Sequence, residues 1–375
     1  MADLIAHAFY SIGYRPRESL VIVGLSGPRR RIGLTIRADL PPTDRHRVRL
    51  EGSARLLREH GDDAVVLLVV SDRPGRDGPS LLAPPRARLL RDVRRRLAAE
   101  GFGVLDVLAV GETAWRSSLC RDALCCPPEG HPMSAVESSA VAAWHVSQGE
   151  VLSPDEASML AYVEPDPPPD PGPAAPGDPG DPGDPGDPGD PGDPSSDRSG
   201  DPSSGPSSQE ALARWRALLA AGGADAAGGG AGPVAPGAPG PLPDVRWLAD
   251  ALTDLRLRDA IMLTFLPSFG SLPDDLLVRG DHELLDRLFD EPPDAELLAR
   301  GTAVLAAVAR TAPPGRRAEA LALLAWAAWW SGDGARGRLL AARAMADQPS
   351  HTLAALIDQL LFVGVPPGWT RRRVG

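Results

Sequence analysis

The sequence predicts an α/β N-terminal domain with a layered, mixed or partly parallel sheet. An all-helical C-terminal domain follows, and a disordered Pro/Gly/Asp linker joins the two. Three observations carry this. Short apolar runs rich in Val, Ile and Leu alternate with amphipathic stretches in the first part of the chain. The segment Pro176–Asp193 is an unbroken series of Pro-Gly-Asp triplets. From Asp244 onward only helical periodicity is visible.

The elements follow in order. Asp3–Ser11 is a short apolar helix stopped by Gly13 and Pro16. Leu20–Leu25 is a continuous β-type run, and Ser26-Gly27-Pro28 has turn chemistry. Arg31–Ala38 alternates, with Ile32, Leu34, Ile36 and Ala38 on one face, as a half-buried strand in a hairpin does. Thr43–His60 reads as a helix capped by Thr43 or Asp44. Ala64–Val70 is apolar on both faces, which fits a central strand covered from both sides. Pro84–Glu100 is an amphipathic helix with Leu89, Leu90, Val93 and Leu97 on one face and Gly101 at its end. Val104–Val110 is another strand, and Ser134–Ser147 reads as one helix.

The domain boundaries fall at 1–164 for the α/β domain, 165–208 for the linker, 209–243 for a short helix with Trp215 and a second Gly/Pro/Ala-rich linker, and 244–375 for the helical domain. Helices are expected over Val245–Phe265, Asp294–Arg310, Arg316–Trp330, Arg336–Ala346 and His351–Phe362. Trp326, Trp329 and Trp330 sit at helical spacing and read as core before they read as a partner-binding face.

Charge is unevenly placed. The net charge is −11, all 39 basic residues are Arg, and the 166–208 segment holds ten acids against one Arg. Both flanking parts are close to neutral, so neither shows the basic footprint of a nucleic-acid binder. Arg86, Arg88, Arg91, Arg94, Arg95 and Arg96 make a basic helix face, read as solvated. The three cysteines all fall between Cys120 and Cys126, which argues against a disulfide scaffold. The N-terminus lacks the pattern of a signal peptide, and the apolar run Ala318–Trp330 is too short to cross a bilayer. The expected compartment is the cytoplasm, with no membrane and no nucleic-acid partner.

Two resemblances add to this. Ala2-Asp3-Leu4-Ile5-Ala6, Gly13-Tyr14-Arg15-Pro16, Glu18-Ser19-Leu20-Val21, Arg37-Ala38-Asp39-Leu40-Pro41 and Cys125-Cys126-Pro127-Pro128-Glu129-Gly130 occur in that order. Together they resemble an actinobacterial family of unknown function, the domain of unknown function 4192. The resemblance implies a bacterial cytosolic setting and brings no activity with it. Ala318–Ser350 resembles a single tetratricopeptide-like helical hairpin, with Leu321 and Leu324 in the first helix, Gly332-Asp333 at the turn and Pro349 at the end. Gly337 departs from that pattern, standing where such repeats place Ala.

Candidate site residues follow from position. Ser71 and Asp72, and Glu112 after Gly111, sit beyond the carboxyl ends of the two best strands, where ligands bind in open α/β sheets. The competing reading is plain turn chemistry. Arg116 would extend the same crevice. Arg37 and Asp39 share the polar face of their strand, as anion-binding residues or as a locally paired strand end. Arg15, Arg17 and Glu18 carry the same ambiguity. Cys120, Cys125, Cys126 and His131 supply four ligands of the type tetrahedral zinc takes. The spacing C-x4-C-C-x4-H departs from the usual two-residue knuckle, and adjacent cysteines seldom share one ion. Packed thiols are therefore the first reading, with a metal site or a redox pair as alternatives. No cofactor is expected, zinc being the one considered. No phosphate loop, nucleophile elbow or His-Glu-x-x-His motif is present, and a Schiff-base Lys is ruled out because the chain has no Lys. No catalytic set is assigned. The leading reading is a non-enzymatic binding or regulatory protein, with a protein partner on the helical domain. The alternative is a metal- or thiol-dependent enzyme built at the strand ends and the Cys120–His131 loop.

Overall fold

The computed structural model describes residues 1–40, 51–71, 84–165, 206–221 and 244–370. The expected linker over 165–208, the Gly/Pro/Ala-rich stretch before Asp244, the Thr43/Asp44 cap and Asp72 all fall wholly or largely outside these residues.

The first part is a three-layer α/β sandwich. Its elements are α1 (Ala2–Ile12), β1 (Ser19–Ser26), β2 (Arg31–Asp39), α2 (Glu51–His60), β3 (Ala64–Val70), α3 (Pro84–Ala99), β4 (Gly103–Val110), β5 (Ala114–Ser117), β6 (His131–Pro132), α4 (Ser134–Glu137), α5 (Ala140–Ser147) and α6 (Glu156–Leu160). The sheet order is β2-β1-β3-β4-β5-β6. β1 pairs antiparallel with β2 and with β3, and β3 pairs parallel with β4 across the α3 crossover. The sheet is thus mixed, with one parallel pair among the described strands.

Both faces of the inner strands are covered, which is why their sequences show no polar alternation. Val21, Val23, Val66, Leu68, Leu108 and Val110 pack on Ile5, Phe9 and Ile12 of α1 and on Val136 and Ala142. Leu20, Ile22, Leu67, Val69 and Val107 pack on Leu57 of α2 and on Leu90, Val93 and Leu97 of α3. β2 is one edge of the sheet, and it departs from the expected alternation. Gly33–Ala38 are half-buried on both faces alike, and Ile32, expected on the inward face, is exposed near the hairpin turn, where the sheet has less to cover it.

Two expected helices are broken. Ser134–Ser147 divides at Ser138-Ser139, because Ser139 turns extended and its hydroxyl caps α5 through the Ala142 N–H. Val245–Phe265 divides into α8 (Arg246–Ala251) and α9 (Leu255–Leu263), α9 being capped by Asp254. The remaining helices are α7 (Ser208–Ala221), α10 (Leu272–Arg279), α11 (Arg287–Asp290), α12 (Ala295–Thr311), α13 (Ala318–Trp330), α14 (Gly334–Asp347) and α15 (Thr352–Val363). Short 3-10 turns occupy Ala161–Val163 and His282–Asp286.

The helical core is aromatic at its centre. Phe265 lies edge-on to Trp215, at 6.0 Å between centroids, and Trp326 stacks on Trp330 at 4.8 Å. Gly301 on α12 leaves room for this, since a β-carbon there would run into Phe265 Cε1. Trp326, Trp329 and Trp330 are all buried, as the core reading expects. α13 and α14 form a close hairpin, in which a β-carbon at Gly337 would stand 3.1 Å from the Ala325 carbonyl oxygen. No side chain of its own caps α13. Asp347 does so from the end of α14, accepting from the N–H groups of Gly315, Arg317 and Ala318 at 2.8–3.0 Å.

The two parts touch. Met159 belongs to the sheet core, whereas Leu160 and Val163 belong to the helical core. Arg310 and Arg317 donate to the carbonyls of Tyr162 and Val163, and Arg317 and Arg343 both pair with Glu164. Arg55 on α2 donates to the Val363 carbonyl. By length and composition, Thr352–Thr370 is the one helical stretch among the described residues long and apolar enough to cross a membrane. It is interrupted at Gly364, which takes the left-handed conformation at φ 69°. It is also tied to α13 by Trp329 Nε1 on the Val365 carbonyl and Trp369 Nε1 on the Trp330 carbonyl.

Candidate functional site

Three places in the α/β part gather polar or reactive groups. The first is at the strand ends. Glu18, just before β1, holds a positive φ of 40°, unusual for a non-glycine residue. Its carboxylate accepts from the Ser71 hydroxyl at 2.7 Å, and its carbonyl accepts from Leu40 N–H. On β2, Arg37 donates through Nε to the buried Ser19 hydroxyl at 3.1 Å and pairs through Nη2 with Asp39 (2.7 Å) and Glu156 (2.8 Å). Its guanidinium also lies over the Tyr14 ring. Tyr14 donates to Glu156, and burial raises its phenol above the ordinary range. Arg15 holds the turn after β4 by donating to the carbonyls of Gly111 and Glu112. Arg37, Asp39 and Ser71 are thus joined to one end of the sheet, together with Glu18, Ser19, Tyr14 and Glu156. Glu112 takes part here through its carbonyl. Arg116 belongs elsewhere: it donates to the Pro128 carbonyl, beside the cysteine loop.

The second place is that loop, between β5 and β6. The sulfurs of Cys120, Cys125 and Cys126 all lie within 4.8 Å of one another. Cys126 is buried and Cys125 exposed. Sulfur hydrogen bonds with Cys120 and then Cys126 push the Cys125 thiol up to about 11. His131 is not among the converging ligand atoms. Its Nε2 pairs with the Cys125 carbonyl oxygen at 2.9 Å, and its ring stacks on Trp115 at 4.5 Å.

The third place was not visible in the sequence. A cavity of about 390 Å³ lies between α1, α4 and α5, walled by Ala6, Phe9, Met133, Val136 and Ala142 with Arg15, Glu137 and Glu150 at its polar points. At its edge His145 Nδ1 pairs with Glu150 at 2.7 Å, and the His145 ring stacks on Tyr10 at 4.3 Å. His7 stands nearby, with Nε2 3.2 Å from the Ser11 hydroxyl. Burial, then the charge of His145, hold its imidazolium below the usual range. The only sequence signal was the i, i+4 spacing of His7 and Ser11 on one helix face. His145 lies too far along the chain to be linked to them. A larger trough, about 890 Å³, runs beside α3 and is lined by Arg88, Arg91, Asp92, Arg94 and Arg95 with Phe102 and Val104. It is formed by the basic helix face, and Arg88, Arg91 and Arg95 are exposed along it.

The profile of a family described as "Domain of unknown function (DUF4192)" matches residues 2–368. The chain belongs to that family. No curated protein matches it, and no solved structure matches it. The DUF4192 match spans the sheet, the cysteine loop and the helices alike.

Proposed function

We propose that this DUF4192 protein is a non-enzymatic binding or regulatory protein of the cytoplasm. It takes a small molecule with an apolar body in the cavity between α1, α4 and α5, and the helical part, with its tetratricopeptide-like α13–α14 hairpin, serves as the platform for a protein partner. The observation that carries this reading is the cavity. Its volume falls in the range of about 300–1,000 Å³ usual for ligand pockets, and its walls are mostly carbon with a few polar points, as such pockets are. The strand ends support it less, because their charged groups are occupied with each other. Arg15 is committed to two carbonyls and Glu150 to His145, which leaves the exposed Glu137 at the rim as the carboxylate best placed to meet a ligand's polar end.

The test uses a neutral fluorescent probe such as N-phenyl-1-naphthylamine. Saturable enhancement is expected with the full chain. It should be lost in Ala142→Leu, which fills the cavity, and in Val146→Trp at the exposed rim, with melting curves showing both variants folded. Equal probe binding in both folded variants would sink the reading. The second reading, a metal- or thiol-dependent enzyme, draws on the convergence of the three thiols.

A further inference from the structure

The cysteine loop carries an inference independent of the cavity. Three sulfurs meet within 4.8 Å, while thiolates around one tetrahedral zinc, at about 2.3 Å from the metal, lie roughly 3.8 Å from each other. Small side-chain rotations close that difference. The backbone is already arranged for it. Ser117, at the end of β5, accepts from the N–H groups of Leu119 and Cys120 and donates to Asp106 on β4, which fixes where Cys120 leaves the sheet. Asp122 turns the chain back: its carbonyl accepts from Cys126 N–H at 2.7 Å and its carboxylate from Leu124 N–H at 2.9 Å. Arg116 then holds the returning chain at the Pro128 carbonyl, in the turn before β6. The adjacent pair Cys125-Cys126, the feature of the sequence that spoke against a shared ion, here points both sulfurs to the same place as Cys120.

Simple packing does not account for the arrangement. Core thiols are buried, yet Cys125 is exposed and its neighbour Leu124 is 97% exposed. The loop spends its hydrogen bonds on converging sulfurs and not on covering apolar surface. His131 is held off by the Cys125 carbonyl and the Trp115 ring, so the cluster offers three ligands and one open side toward solvent.

We propose that Cys120, Cys125 and Cys126 form a three-thiolate site for zinc, its fourth position on the exposed Cys125 side being taken by water or an outside ligand and not by His131. Binding replaces the three thiol protons with one divalent ion, so protons are released and no electron is transferred. The ion would clasp the loop that leads into β6 and α4.

The full chain, purified without a His-tag under reductant, is the material for the test. Near-stoichiometric zinc is expected by elemental analysis, falling at least tenfold in Cys120→Ser and Cys125→Ser. Chelator-treated protein titrated with cobalt(II) should develop a thiolate-to-cobalt charge-transfer band, and His131→Ala should keep that band and the zinc. Circular dichroism of the metal-free protein checks that lost binding is not lost folding. A protein that stays metal-free after dialysis against zinc, with all three thiols titratable once denatured, would overturn the site. A disulfide between any two of the cysteines would do the same. Loss of the cobalt band in folded His131→Ala would overturn the open fourth position.

Discussion

Replacing Arg37 by Met separates a ligand-binding role from a structural one. The side chain is only 15% exposed and makes four contacts at once: the Ser19 hydroxyl, Asp39, Glu156 and the face of Tyr14. The Asp39 pair is mostly solvated and contributes about 0.2–1 kcal/mol. The hydrogen bond to buried Ser19 adds about 1 kcal/mol, and the cation over Tyr14 about 0.5–1 kcal/mol. Glu156 is half exposed, so its pair adds no more than about 1 kcal/mol after screening. Arg37→Met should therefore cost about 2–4 kcal/mol, lowering the urea midpoint with an unchanged slope. Arg37→Lys keeps the charge without the fork and should lose about half as much. Binding of the naphthylamine probe should be unaltered in both. A loss under about 0.5 kcal/mol in Arg37→Met would refute the network argument and return Arg37 to the list of ligand-binding residues.

Other expectations are as direct. Asp347→Ala leaves three N–H groups at the start of α13 without an acceptor and should cost about 2 kcal/mol in chemical denaturation, whereas Asp347→Asn should retain most of that. Gly301→Ala should destabilise by about 1–3 kcal/mol despite alanine's better helix propensity, because the new methyl meets Phe265 and Trp215; a rise in melting temperature would contradict that packing. His7, set against Ser11 and His145, binds a proton less readily folded than unfolded. Stability should therefore be unaffected by this group above the ordinary value of 6.5 and fall as the pH drops below it. Denaturation of His7→Gln across the same range should show a shallower fall.

Much of this architecture was legible because it rests on local pattern. Ala64–Val70 announces a doubly covered strand and is buried throughout, whereas the alternation of Arg31–Ala38 marks a strand correctly but not its burial, which is intermediate from Gly33 to Ala38 on both faces. β5 and β6 were not legible. Four residues reading Ala-Trp-Arg-Ser and two reading His-Pro have no period, and only pairing, of β5 with β4 and of β6 with β5, makes them strands. The breaks at Ser139 and Asp254 depended on which polar residue would turn to cap, a choice that periodicity does not report. At the strand ends the sequence identified Arg37, Asp39 and Ser71 but not Tyr14, Ser19 or Glu156, because the fold and not the spacing brings Glu156 142 residues along the chain to Tyr14. The cavity was hidden for the same reason.

The step from Met159 to Leu160 has a practical consequence for anyone dividing the chain. A fragment ending after Pro165 would carry Leu160 and Val163 away from the helices that bury them, and the fragment beginning near Ser207 would lack that plug. Two such half-proteins made separately would each expose a surface that only the other fits. They should therefore behave as a complementation pair, each insoluble or sticky alone and recovering a shared native form when expressed together.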